Sequence, residues 1–259
     1  MTNIIAVANQ KGGVGKTTTS VNLATSLAVM KRKVLIVDMD PQGNATTGVG
    51  LDKHNPPVFL SDVLLGDAQV DAAIQRVPNT NIEALAGGPD LTVAEFQMMR
   101  MDDREFCLHK ILCDIKSRYD FIIIDCPPSL NMLTVNALVA ANGVLIPMQC
   151  EYYALEGLSA LVGSIETIRK NANPGLQITG VLRTMFDPRN NLSRDVSKQL
   201  AEYYKDKLYN TSIPRNVRLA EAPSHGLPAL LYDKRSSGAL AYLALAAEMI
   251  RKEAAREAA

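Results

Sequence analysis

The sequence predicts an α/β fold: a doubly wound, mainly parallel sheet with helices on both faces, in one domain spanning residues 1–259. Three observations carry this. Short runs rich in Ile and Val alternate with longer segments whose apolar residues recur at helical spacing. One run, Phe121-Ile-Ile-Ile-Asp125, is apolar without alternation, as a strand covered on both faces requires. No Pro/Gly/Ser-rich linker divides the 259 residues, a length that suits one large α/β domain.

In chain order, Ile4–Ala8 reads as a strand, then a glycine loop, then a helix from Lys16 with Val21, Leu23, Ala24, Leu27 and Ala28 at helical spacing. Lys33–Asp38 is a second buried strand. Residues 41–57 carry Pro, Gly, Asn and Thr, which predicts a loop with at most short helical pieces. Short helices are expected over Leu60–Leu65 and Val70–Ile74, and a third strand over Ile82–Ala86. Longer helices follow at Leu91–Met101 and Phe106–Ser117, the second with Phe106, Leu108, Ile111, Leu112 and Ile115 on one side. After strand Phe121–Asp125, the run Cys126-Pro-Pro-Ser129 interrupts the chain and Leu130–Ala141 returns as a helix. The rest alternates strand Val144–Met148, helix Leu155–Lys170, strand Gln177–Met185, helix Asn191–Tyr204 and strand Leu208–Ile213. A loop from Pro214 to Pro228 precedes a final helix, about Gly238–Arg256.

Charge and cysteine usage narrow the function classes. Lys+Arg and Asp+Glu are equal at 27 each, so no global field drives the chain onto nucleic acid. There is no basic-then-apolar leader, and no apolar run reaches membrane-spanning length; a cytosolic protein is expected. Four cysteines, Cys107, Cys113, Cys126 and Cys150, show no C-x-x-C spacing and read most simply as reduced core residues.

The chemistry concentrates at Asn9-Gln-Lys-Gly-Gly-Val-Gly-Lys-Thr-Thr18. Gly12, Gly13 and Gly15 between strand and helix let the backbone turn tightly and aim successive N–H groups inward. The helix N-terminus adds its positive end, so amides and dipole together would hold a polyphosphate. Lys16 would reach the outer phosphates and the Thr17 hydroxyl would ligate Mg²⁺, with Val14 and Thr18 completing the loop. Asp125, closing an apolar strand, stands where a carboxylate would hold Mg²⁺, through a water. Phosphoryl transfer from ATP to water asks little more than such positioning and charge neutralisation.

The loop departs from Gly-x4-Gly-Lys-Ser/Thr, because Gln10 stands at the first glycine and a second lysine, Lys11, stands at the entrance. In this it resembles the deviant Walker A loop of the ParA/MinD ATPases. The resemblance to the ParA/Soj chromosome-partitioning members extends over nearly the whole chain, through Asp38-Met-Asp-Pro-Gln-Gly-Asn-Ala-Thr46, Asp125-Cys-Pro-Pro-Ser129, Gln149-Cys-Glu-Tyr-Tyr-Ala-Leu-Glu-Gly157 and Ile213–Gly226. It implies that Asp40 aligns the attacking water and, with Thr17 and Asp125, belongs to the Mg²⁺ site; an Asx turn before Pro41 is the plainer reading of the same residue. Asp38 is read as structural or as part of the metal's surroundings. The resemblance further implies that Lys11 crosses a homodimer interface to the partner's ATP, since Lys16 already occupies its own loop; an exposed lysine without a task is the alternative. It places Pro214 and Asn216 in a base-recognition loop, where Asn216 could equally hold a turn. His225 reads as a loop hydrogen-bonder.

Residues 180–235 hold ten Lys/Arg against six Asp/Glu, a local excess that a solvated surface would also explain. Together with the resemblance it nominates Arg189, Lys198, Arg215, Arg218, Lys234 and Arg235 as contacts to DNA phosphates without sequence preference. About three contacts per subunit would give a dimer a slope of log affinity on log salt near −5. The resemblance also implies slow ATP turnover to ADP, stimulation by a ParB-like centromere-binding partner, and association with the nucleoid. A MinD-type membrane positioner is the alternative, but the tail Met249-Ile-Arg-Lys-Glu-Ala-Ala-Arg-Glu-Ala-Ala259 lacks the large apolar residues of an anchor. A cluster-carrying electron carrier would need paired cysteines, of which only Cys126 is near the loop. A ligase of the dethiobiotin synthetase type would not require Lys11.

Overall fold

In the computed structural model, residues 2–152 and 154–257 are described; Tyr153 of the Gln149–Gly157 segment and the last two alanines of the tail lie outside the described residues. Eight strands among the described residues form one sheet: β1 (Asn3–Val7), β2 (Val34–Asp38), β3 (Ile74–Arg76), β4 (Ile82–Leu85), β5 (Phe121–Asp125), β6 (Gly143–Gln149), β7 (Gln177–Phe186) and β8 (Leu208–Pro214). Their order is β3-β4-β2-β5-β1-β6-β7-β8, all parallel except β3, which pairs antiparallel with β4. The doubly wound, mainly parallel expectation therefore holds.

The faces follow from the period of two along each strand. Ile4, Ala6, Leu35, Val37, Ile122, Ile124, Val144 and Ile146 point into one core, under the helices Cys107–Ile115, Met132–Ala140 and Ala154–Asn171. Ile5, Val7, Val34, Ile36, Ile123, Leu145 and Leu182 point into the other, under the first helix, Lys16–Val29, and the C-terminal helix, Ser237–Glu257. The C-terminal helix buries Ala239, Tyr242, Leu245, Ala246 and Met249, one apolar stripe at three- and four-residue spacing. The first helix is buried nearly all round, so its many small polar residues are satisfied internally. Thr25 and Ser26 donate to carbonyls four residues back, and Thr19 Oγ1 lies 3.0 Å from Tyr242 Oη.

Differences from expectation lie at the margins. Val70–Ile74 is not one helix: the helix ends at Ala73, and Ile74 opens β3, whose three residues lie below the length at which a strand pattern is legible. The expected third strand is thus the fourth. Helix Leu91–Met101 is Asp90–Met98, and Leu130–Ala141 is Met132–Ala140, begun by Asn131 accepting the Thr134 N–H. The expected loops carry short helices at Asn44–Gly48 and Val217–Glu221.

β8, an edge strand, is blunted by one side chain. The buried Glu248 carboxylate accepts the N–H groups of Asn210 and Thr211 at 2.8 and 2.9 Å and the Thr211 hydroxyl at 2.8 Å. These would otherwise stand unpaired at the sheet margin.

Candidate active site

The sheet register gathers the site. Val7 and Asp38 both pair with Asp125, so the loops after β1, β2 and β5 leave the same edge at the same level. The chain turns to one side of β1 after β1 and to the other after β5, the kind of crevice where open α/β sheets bind ligands.

The loop after β1 is a built cradle. Gly13 and Gly15 adopt positive φ, 73° and 84°, which a side chain would resist. The amides of Gly12 through Gly15 find no acceptor among the described residues, and those of the first helical turn have no partner within the helix. Three side chains fix the loop from outside: Gln149 Nε2 donates to the Gly13 carbonyl (3.1 Å), Thr184 Oγ1 to that of Val14 (2.8 Å), and Asn9 Nδ2 to that of Pro147 (2.8 Å). Lys16 is 7 % exposed and donates to the Lys11 carbonyl at 3.2 Å. Burial lowers its pKa against the pull of Asp125, Cys126 and Asp40. A buried ammonium beside orphaned amides is chemistry suited to a polyanion.

Three carboxylates face this cradle. Asp125 is fully buried; its two oxygens accept the hydroxyls of Thr17 (2.8 Å) and Ser20 (2.7 Å). Burial first, then the Asp38 carboxyl, push its pKa up. Asp38 holds both ends of the next loop: Oδ1 accepts the Asp40 N–H (3.1 Å), and Oδ2 the Thr46 N–H and hydroxyl, both at 2.8 Å. Burial pushes the Asp38 carboxyl up to about 6 against those bonds. These bonds tie the two ends of the loop to the end of β2. Asp40 forms the Asx turn, Oδ1 accepting the Gln42 N–H at 2.9 Å, while no partner is found for Oδ2 among the described residues. The turn and a water-aligning role are thus compatible. No group of three or more His, Cys, Asp or Glu among the described residues is placed to hold a metal alone, so Mg²⁺ at Thr17 and Asp125 would need phosphate oxygens as well.

Lys11 points elsewhere. Its side chain is 47 % exposed and pairs with Glu151, itself 51 % exposed. Asn216 is employed locally: Oδ1 caps the helix Val217–Glu221 by accepting the Leu219 N–H (3.3 Å), and Nδ2 donates to Ser237 Oγ (2.9 Å). Pro214 ends β8 just before it. His225, read as a hydrogen-bonder, instead stacks on Tyr232, centroids 4.9 Å apart, because Gly226 turns the chain there. Of the basic residues, Arg189 is paired with Asp187, and Arg218 with Glu221 and Asp233. Lys198, Arg215, Lys234 and Arg235 are exposed.

Sequence reasoning missed Ser20, Gly87 and Thr184, and gave no role to Thr46 and Gln149, which it had only within the segments of resemblance. Ser20 had a signal, lying three residues after Thr17 on one helix face. Gly87 lies against β2: an added Cβ would sit 2.2 Å from the Asp38 carbonyl oxygen. Nothing local marks Gln149 or Thr184.

Fold and cradle together define a P-loop nucleoside-triphosphatase architecture. The AAA_31 family, described as an AAA domain, is matched over residues 2–178. The chain is 51 % identical over 249 residues to the sporulation initiation inhibitor protein Soj of Bacillus subtilis, covering 96 % of this chain and 98 % of Soj. It is 46 % identical to the chromosome partitioning protein ParA of Caulobacter vibrioides, over 98 % of this chain and 96 % of that one. Among solved structures, cobyrinic acid a,c-diamide synthase from Mycobacterium smegmatis, with bound ADP and magnesium, is similar with a TM-score of 0.85. Identity there is 37 %, over 97 % of this chain and 95 % of that one. The chain belongs to the ParA/Soj family of ATPases.

Proposed function

We propose that the protein, acting as one domain over residues 1–259, hydrolyses ATP to ADP and phosphate in the segregation of a chromosome or plasmid. The phosphates lie on the amides of Gly12, Gly13, Val14, Gly15, Lys16, Thr17 and Thr18, with Lys16 on the outer oxygens. Thr17 and Asp125 would hold magnesium, Asp125 through a water, and the ion would supply charge neutralisation. Asp40 orients the water whose oxygen attacks the terminal phosphorus as the bond to the ADP oxygen breaks. Pro214 and Asn216 flank the base, Asn216 exchanging Ser237 for the base edge.

The observation that supports this reading most is the division of labour between two lysines. Lys16 is buried in its own loop; Lys11, five residues earlier, is exposed and turned away toward Glu151. A cation so placed can reach the nucleotide of a second copy by leaving its exposed partner Glu151. ATP thereby closes a homodimer, the dimer grips DNA without sequence preference, and a ParB-like partner stimulates a slow hydrolysis that releases it from the nucleoid. Arg189, Lys198, Arg215, Arg218, Lys234 and Arg235 are the proposed phosphate contacts.

A membrane-positioning role is less well supported. The apolar stripe of the C-terminal helix is spent on the sheet, and no described helix is long and apolar enough to cross a membrane.

The test measures particle size and DNA binding with no nucleotide, ADP and ATP. Wild type should form a DNA-bound dimer only with ATP, Asp40→Ala should prolong it, and Lys11→Ala should bind ATP yet stay monomeric. A Lys11→Ala protein that dimerises and hydrolyses normally refutes the reading.

A further inference from the structure

The four cysteines divide by access. Cys107, Cys126 and Cys150 are buried, and burial pushes each thiol up, away from the reactive thiolate. Cys113 is exposed, and it is not alone. Its sulfur lies 3.5 Å from His109 Nε2 and 3.7 Å from Lys116 Nζ. The helix Cys107–Ile115 sets 109 and 113 one turn apart, and Lys116 opens the 3-10 turn that follows. The Lys116 ammonium reaches the sulfur from the C-terminal end of this helix. All three side chains line a cavity of about 360 Å³ whose apolar wall includes Leu112, Val139 and Ala140.

We propose that Cys113, with His109 and Lys116, is a thiol-exchange site for anionic low-molecular-weight disulfides. His109 takes the Cys113 proton, and the thiolate attacks one sulfur of the incoming disulfide. The new S–S bond forms as the old one breaks, and the electron pair leaves on the other sulfur, which takes up a proton. The disulfide is the only oxidant required. The Lys116 ammonium attracts a carboxylate-bearing disulfide, and the cavity receives the adduct. Thr2 and Ile4 also line this cavity, at the start of β1 and so at the opposite end of the strand from the phosphate cradle. The adduct therefore leaves the nucleotide loop unaltered.

The full-length protein is treated with glutathione disulfide, which is anionic, and separately with cystamine, which is cationic. The expected product is a single adduct, reversed by dithiothreitol and mapping to Cys113, with Cys107, Cys126 and Cys150 unmodified. Glutathione disulfide should react faster than cystamine. The double variant His109→Gln/Lys116→Gln, lacking the base and the ammonium beside the sulfur, should exchange with glutathione disulfide at least about threefold more slowly than the native chain. It should also lose the preference for the anionic reagent. Native-rate exchange by the variant with both reagents, no anionic preference in the native chain, or adducts spread over several cysteines would each overturn the proposal.

Discussion

Thr46→Val isolates one hydroxyl that holds the Asp40 loop. Thr46 Oγ1 donates to Asp38 Oδ2 at 2.8 Å and accepts the Gly87 N–H at 2.9 Å. Valine keeps the shape and the backbone bond from residue 46 to Asp38, so only these two contacts and the hydroxyl's 3.1 Å approach to the Gly87 carbonyl go. A hydrogen bond to a charged acceptor contributes about 1.5–3 kcal/mol, and a buried N–H left without a partner costs about 1–3 kcal/mol. The gain from burying a methyl in place of a hydroxyl returns roughly 1 kcal/mol, leaving a net loss of about 2–4 kcal/mol. For a chain of this size that is a fall in Tm of roughly 5–15 °C. Thr46→Ser keeps both contacts and should lose only about 1 kcal/mol for its missing methyl. Thermal unfolding of nucleotide-free protein measures all three. If Thr46→Val melts within a degree or so of wild type, or Thr46→Ser is equally damaged, the hydroxyl does not carry the network. The same substitution should slow ATP hydrolysis, because Asp38 holds the Asp40 N–H.

Three further outcomes follow from other contacts. Glu248→Ala strips the β8 edge of three bonds to a buried carboxylate and should destabilise by about 3–5 kcal/mol; urea unfolding checks it, and amide exchange should quicken first at Asn210 and Thr211. Glu151→Gln removes an exposed pair worth at most about 1 kcal/mol, so stability should hold while ATP-dependent self-association tightens by up to about fivefold, measured by light scattering. The folded pKa of Asp38 is raised to about 6, above its unfolded value, so its protonated form favours folding at low pH and that contribution is lost as pH rises from about 4 through 6. Wild type should accordingly lose stability relative to Asp38→Asn over that window; a pH-independent difference between their denaturant midpoints would contradict it.

The parts of this fold legible in the sequence are those with a local physical signature. β5 could be read because five consecutive buried residues admit one explanation, and the cradle because Gly13 and Gly15 need positive φ beside a helix start. The edge strand β3 escaped because three residues, none of them buried, carry no pattern. Asp40 and Asn216 show a different limit. Each local reading, an Asx turn and a turn-holding amide, is realised in the structure, yet Asp40 keeps Oδ2 without a partner among the described residues and the Asn216 amide nitrogen is held only by the Ser237 hydroxyl. Local spacing fixes what a polar group does for its own backbone; what it offers a ligand depends on neighbours that only the register supplies.

That register also explains why Asp125 can be buried at all. A carboxylate without solvent and flanked by Asp38 is held in place by Thr17, Ser20 and the nearby Lys16, all from the first turns of one helix. The helix that presents amides to phosphate thus also satisfies the carboxylate proposed for magnesium. If phosphate binds at Lys16 as proposed, a change in its occupancy would be felt electrostatically at Asp125, at Asp38 through the paired strand ends, and through the Asp38 bonds at residues 40 and 46. In a low-dielectric site such charges interact far more strongly than in water. On the proposed reading, loss of the terminal phosphate would reach the loop that carries Asp40 through these paired strand ends and the Asp38 hydrogen bonds.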